Sequence, residues 1–241
     1  MNRRKIILFA VLSVTVVLAL NFRERLSIGW NMAQQRFAKR TVNDRLKEFG
    51  GAARQRWKPH FKVAGITYPP KRVVFVALKQ ERMFEVWAED ETHSRLIRRY
   101  PILAASGGLG PKLREGDKQV PEGMYEIESL NPNSAFHVAL RLNYPNAFDR
   151  AQAGKDSRTD LGGDIMIHGK SASIGCIALG DEAAEDVFTL AADAGLKKIS
   201  VISTPVDFRK SDPPIAAQVP TWTGELYAQI KAAMTSPPLS Q

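Results

Sequence analysis

From Arg72 to Ile202 the chain is written in short apolar runs separated by turn residues, and that punctuation limits what it can fold into. The runs are Arg72 to Leu78, Met83 to Ala88, Leu96 to Leu103, Tyr125 to Leu130, Phe136 to Leu142, Ile165 to His168 and Ile199 to Ile202. Runs of this length between Gly, Pro, Asn and Ser clusters read as strands. Phe136, Val138, Leu140 and Leu142 alternate with His137, Ala139, Arg141 and Asn143, the pattern of a half-buried strand, which places His137 and Arg141 on one face. Ser106-Gly107-Gly108-Leu109-Gly110-Pro111 and Val120-Pro121-Glu122-Gly123 supply turns. Asp181, ahead of Glu182 to Ala194 with Gly195 beyond, reads as the cap of a helix whose Val187, Leu190, Ala191 and Ala194 pack on the sheet. The fold class is therefore mainly β with flanking helices, an α+β arrangement.

The start of the chain follows different rules. Asn2-Arg3-Arg4-Lys5 precedes an apolar run from Ile6 to Leu20, with no small-x-small cleavage pattern after it, so residues 1–22 are expected to be an uncleaved signal-anchor helix. Residues 23–70 read as a basic helical linker. In it Val42, Leu46 and Phe49 recur at helical spacing, Gly50-Gly51 ends the pattern and Pro69-Pro70 marks a boundary. That stripe either lies on the membrane or packs on the domain that follows. Residues 71–203 form the main domain and 204–241 a proline-rich tail with one helix-like stretch from Thr223 to Ala233.

Charge follows this division. The net +9 is concentrated before residue 59, where 13 Lys or Arg face 3 Asp or Glu, and the rest is close to neutral. Excess base beside an apolar anchor points to anionic lipid headgroups, and nucleic acid is discounted. The glycine-rich loop at Ser106 lacks a following Lys-Ser/Thr pair, so nucleotide binding is not expected. One cysteine and four scattered histidines offer no paired-ligand spacing, so neither metal nor cofactor is expected, and His60 and His93 receive no role.

The lone cysteine carries the chemistry. Cys176 lies in Ile167-His168-Gly169-Lys170-Ser171-Ala172-Ser173-Ile174-Gly175-Cys176-Ile177-Ala178-Leu179. A thiol is mostly protonated at neutral pH, and an adjacent imidazole is the usual means of activating it. Gly175 lets a carbonyl approach the backbone, so the amides of Gly175 and Cys176 are candidates to face an oxyanion. Ser173 either orients the imidazole or bonds its own turn. The plain alternative is that Cys176 is a small buried hydrophobe and His168 a satisfied histidine at a strand end.

Ser173-Ile174-Gly175-Cys176-Ile177, with His168-Gly169 upstream, resembles the signature of the L,D-transpeptidases, the YkuD-type catalytic domain. Gly116 to Ile127 is similar to the turn and strand ahead of that family's site, while Leu142 to Asp149 and Gly163 to Gly169 resemble its YafK-like branch. The resemblance covers roughly Val73 to Ile202 and implies a YkuD-like β-sandwich. It also implies attack at the L-centre of meso-diaminopimelate in peptidoglycan stem peptides, through a thioester on Cys176 with His168 as acid and base and Gly169 in support. Ala178 stands where the family's commonest form has Arg, so a substrate carboxylate needs another cation. Arg141, beside Tyr144-Pro145-Asn146, is the candidate, with Tyr144 and Asn146 lining the same groove; the plain reading of Arg141 is a partner for a carboxylate. An amine acceptor would make cross-links or attach a wall lipoprotein, and water would make the enzyme a peptidase or amidase. An inactive wall-binding module is the remaining alternative. The resemblance places the domain on the periplasmic face of the inner membrane.

Overall fold

The computed structural model describes residues 39–91, 94–213 and 219–235. His93 and the expected anchor helix of residues 1–22 lie outside them. The described residues contain no helix long and apolar enough to cross a membrane. The chain divides into two units, Met1–Arg40 and Thr41–Gln241, and every element below belongs to the second.

Thr41 opens α1 (Val42–Arg45) with a capping box: its hydroxyl accepts the Asp44 N–H at 3.2 Å and its own N–H donates to the Asp44 carboxylate at 2.9 Å. A π-helical turn, Leu46–Gly50, leads directly into α2 (Gly51–Ala64). Gly50-Gly51 thus does not end the helix. The chain stays right-handed through both glycines and stops at Gly65, where φ is 69°. Phe49, Trp57 and Phe61 are buried, and Val42 and Leu46 pack against the same core, so the apolar stripe lies on the domain. The Trp57 indole donates to the Asp186 carbonyl at 2.9 Å, which ties α2 to the helix that carries Asp186.

The strands are β1 (Arg72–Leu78), β2 (Met83–Glu89), β3 (Ser94–Pro101), β4 (Ala104–Ala105), β5 (Gly123–Asn131), β6 (Ala139–Leu142), β7 (Met166–His168), β8 (Ile177–Ala178) and β9 (Ile199–Thr204). Helix α3 (Ala147–Lys155) follows β6, α4 (Asp181–Ala194) follows β8, and α5 (Thr223–Thr235) closes the described chain. Where a two-sheet sandwich was expected, the strands form one hydrogen-bonded order, β3-β2-β1-β9-β5-β6-β7-β8-β4. The reason lies in β5: Gly123 to Glu126 pair with β9, and Ile127 to Asn131 pair with β6 across a register shift. One strand therefore serves both halves. Only β1 with β9 and β7 with β8 run parallel.

Two apolar cores result. The larger joins Phe75, Phe84, Leu140, Ile167 and Ile177 to Val187, Phe188 and Leu190 of α4, beneath α2. The smaller lies on alternate residues of β1 (Val74, Val76 and Leu78) and is covered by Leu226, Tyr227, Ile230 and Met234 of α5. The period-two alternation of β1 thus feeds both cores.

Two local readings change. His137 has φ 77° and lies outside β6, so it does not share a strand face with Arg141. Its left-handed backbone is held by Arg45, which donates to its carbonyl at 3.3 Å, and its Nε2 meets Glu185 at 3.0 Å. Helix α4 is capped at Gly180, with no side-chain cap bond, and Asp181 instead accepts the Lys170 N–H at 2.8 Å.

Ile230 is fully buried in the smaller core. Ile230→Ala should cost about 2–5 kcal/mol, seen as a lower urea midpoint with no change in slope. An unchanged midpoint would mean that α5 is an appendage to the domain.

Candidate active site

His168 ends β7, and Cys176 immediately precedes β8. The parallel register pairs Ile167 with Ile177 and His168 with Ala178, so its continuation sets Cys176 opposite Met166. Side chains two residues apart share a face, which puts the imidazole and the thiol on the same side. With strands about 4.8 Å apart and two residues spanning roughly 6.6 Å, their Cα atoms are about 8 Å apart. Parallel neighbours usually need a connection of a dozen or more residues. Here residues 169–176 suffice, because the strands they join have three and two residues.

That short connection is laced from within. The Ser173 hydroxyl accepts N–H groups from Cys176 at 3.1 Å, Gly175 at 3.3 Å and Ser106 at 3.4 Å, and donates to the Cys176 carbonyl at 2.7 Å. Ser173 therefore bonds its own turn and does not orient the imidazole. The Gly175 and Cys176 amides, expected to face a developing oxyanion, both donate to this hydroxyl. Gly175 is required by its φ of 120°. Gly169 is required by crowding: a Cβ there would lie 2.5 Å from Asp181 Oδ1 and 2.8 Å from the Phe136 carbonyl.

The carbonyl of Gly169 lies 2.6 Å from His168 Nδ1. A carbonyl only accepts, so Nδ1 carries the proton and the basic lone pair of the neutral ring is on Nε2. Phe136 stacks on the ring with centroids 4.6 Å apart. The thiol donates to the Asp164 carbonyl at 3.6 Å rather than to the imidazole. Burial raises the Cys176 pKa, the Asp164 charge adds to this, and the Met166 backbone and Lys112 oppose it. Burial lowers the His168 pKa, partly offset by the Gly169 carbonyl. The pair thus rests as neutral thiol and neutral imidazole.

Both residues line a cavity of about 500 Å³ together with Lys112, Glu115, Lys118, Phe136, Asp164 and Ile174, among others. Of the residues selected from sequence, Arg141, Tyr144 and Asn146 do not line it. Arg141 is held by Glu128 at 3.0 Å and Asp164 at 2.6 Å. The buried Tyr144 donates to the Leu161 carbonyl at 3.1 Å. Asn146 caps α3, where its side chain accepts the Asp149 N–H at 3.0 Å and donates to the Met124 carbonyl at 2.8 Å. The residues missed are Phe136, Asp164, Lys112, Glu115 and Lys118. Lys118 and Asp164 lay inside the matched segments Gly116 to Ile127 and Gly163 to Gly169, and Glu115 directly beside the first, but none was singled out. Among the described residues no group of three or more His, Cys, Asp or Glu could hold a metal ion.

Ser173→Ala removes one acceptor shared by three N–H groups and should destabilise the fold by about 1–3 kcal/mol, measured by chemical denaturation. No change would show that the turn is held by its glycines alone. With the thiol above its ordinary value of 9.0 and the imidazole below its ordinary 6.5, the rate of iodoacetamide alkylation should keep rising through the alkaline range. Because the chain has one cysteine, the adduct reports this site alone. A plateau at neutral pH would reveal a preformed thiolate and imidazolium instead.

YafK of Escherichia coli K12, named as an L,D-transpeptidase, is 37% identical over 112 residues, covering 46% of this chain and 43% of that protein. The chain thus spans less than half the length of the curated relatives it matches. Among solved structures, the helical cell shape determining protein Pgp2 of Campylobacter jejuni is 25% identical over 57% of this chain and 49% of its own, with TM-score 0.44. Bd1075 of Bdellovibrio bacteriovorus is 19% identical over 70% of this chain and 56% of its own, with TM-score 0.41. The YkuD family, the L,D-transpeptidase catalytic domain, matches residues 71–207, more than half of the chain, with both Cys176 and His168 inside the match, and the chain belongs to that family.

Proposed function

We propose that this chain is a peptidoglycan L,D-transpeptidase that forms a thioester between Cys176 and the carbonyl at the L-centre of meso-diaminopimelate in a stem peptide. The observation that carries this reading is the placement of the Cys176 thiol and the His168 imidazole in one cavity, with Nδ1 tied to the Gly169 carbonyl and Nε2 left basic. In the reaction, Nε2 takes the thiol proton as sulfur attacks the carbonyl carbon, giving a tetrahedral oxyanion and an imidazolium. Collapse expels the amine, which receives the proton from Nε2, and leaves the thioester. An acceptor amine then attacks that carbonyl, gives its proton to Nε2 and releases the thiolate, which recovers the proton. Neutral partners suit general-base attack, since no charge has to be buried before substrate arrives.

The oxyanion requires donors. The Gly175 and Cys176 amides are the backbone candidates, and a substrate oxygen reaches them by displacing the Ser173 hydroxyl. We also place the domain on the periplasmic face of the inner membrane, anchored by the run from Ile6 to Leu20 with its basic flank on lipid headgroups. Stem peptides, and a wall lipoprotein as amine acceptor, lie on that side.

Incubating the full chain with defined muropeptides should give cross-linked dimers by mass spectrometry and an acyl adduct on Cys176. Cys176→Ala should lower turnover by at least about 10³-fold and abolish the adduct with the fold unchanged. Shortened stems without dimers would reassign the deacylating group to water, and full turnover in Cys176→Ala would end the assignment.

A further inference from the structure

Charge on the cavity wall is uneven once the internal pairs are set aside. Lys112 is 7% exposed, and its ammonium donates to the Arg114 carbonyl at 2.8 Å and to Asp117 at 2.6 Å. An ammonium has three N–H donors, so one remains. Asp164 is paired with Arg141 at 2.6 Å. Two charges of opposite sign are left without a side-chain partner among the described residues, Lys118 and Glu115, and both line the cavity beside Cys176.

The backbone is built to present them. Asp117 ties the turn between them, accepting N–H groups from Leu113 at 2.9 Å, Arg114 at 3.0 Å and Gln119 at 3.0 Å. Lys118 has φ 55°, in the left-handed region that favours glycine, and the Ser106 hydroxyl holds its carbonyl at 2.7 Å. A lysine kept in that conformation, in a turn that already contains Gly116 at φ 72°, is retained at the expense of backbone strain. Its backbone approaches the nucleophile's own turn: a Cβ on Gly175 would lie 3.9 Å from the Lys118 carbonyl carbon. Glu115 and Lys118 are three residues apart, so their Cα atoms lie within about 10 Å, and two long side chains can converge on one small group.

We propose that Lys118, assisted by the remaining N–H of Lys112, binds a carboxylate of the acyl donor, while Glu115 binds the ammonium on the same carbon. The subsite therefore selects a donor whose side chain ends in a free zwitterionic amino-acid group, a short methylene chain away from the carbon that bears the scissile carbonyl. This rests on the proposed function, in which the distal end of meso-diaminopimelate is such a group. It supplies the cation that Ala178 does not, and it explains why Arg141, spent on Glu128 and Asp164, is not that cation.

Thioester formation by the full chain is followed by intact-mass spectrometry with two donors that differ only at the distal carboxyl, free in one and carboxamide in the other. Wild type should prefer the free acid by about 10- to 100-fold in kcat/KM, the range for one lost charge-assisted hydrogen bond. Lys118→Gln should lose that preference by slowing on the free acid alone, and Lys118→Arg should restore most of it. Glu115→Gln should slow both donors, and should slow neither further once the distal amine is acetylated. Circular dichroism establishes folding, and Lys118→Arg with Glu115→Gln carry the test if Lys118→Gln does not fold. Equal rates of wild type on the two donors, or a preference retained in Lys118→Gln, overturns the subsite and leaves the proposed function standing. Absence of any thioester with either donor overturns both.

Discussion

The parallel pairing of β7 with β8 is the constraint on which the site depends. Nothing in the connection between His168 and Cys176 brings them together by direct contact; they meet because two short strands lie side by side in a register that turns both side chains the same way. A slip of one residue would send one of them to the opposite face. The register is fixed from both sides, by antiparallel β6 on β7 and antiparallel β4 on β8. Beneath it, Ile167 and Ile177 anchor the pair in the larger core. The placement of the pair is thus a property of the sheet, and the loop only has to be short enough to permit it.

Much of the surrounding structure serves to hold the glycine-rich segment between β4 and β5 against that pair. Glu122 gathers the Lys79 ammonium at 2.8 Å, the Gly110 N–H at 2.9 Å and the Tyr227 hydroxyl at 2.8 Å, so the residue after β1, the loop and α5 share one buried carboxylate. Removing any one partner would leave a buried charge short of its compensation, a cost larger than the bonds themselves suggest. Ser106 then joins this segment to Ser173 in the turn before Cys176. In this way the C-terminal helix, remote in sequence, helps to set the wall of the cavity.

The sequence made the strands legible because their apolar residues alternate between turn signals, and it made Cys176 and His168 legible because glycine and serine crowd around them. The rest of the cavity lining was not legible, for a physical reason. Arg141, Tyr144 and Asn146 have the chemistry of a binding site, yet Arg141 neutralises carboxylates, Tyr144 satisfies a carbonyl and Asn146 caps a helix. The Asn146-x-x-Asp149 spacing was in fact a helix start. Lys112 and Lys118 drew no reading from the sequence, because only the fold reveals which charges are already matched. Gly50-Gly51 failed as a stop for a related reason: burial of Trp57 and Phe61 continues the helix through residues of weak propensity.

The protonated resting state of Cys176 bears on chemical endurance as well as on catalysis. Peroxides and disulfides react with thiolates, so a thiol whose pKa is raised by burial and by the Asp164 charge presents little of the vulnerable form at neutral pH. Having no second cysteine in the chain, it also has no intramolecular partner with which to be trapped as a disulfide. In the proposed reaction such a thiol would form sulfenic acid slowly while no acyl group is bound, because little of it is thiolate.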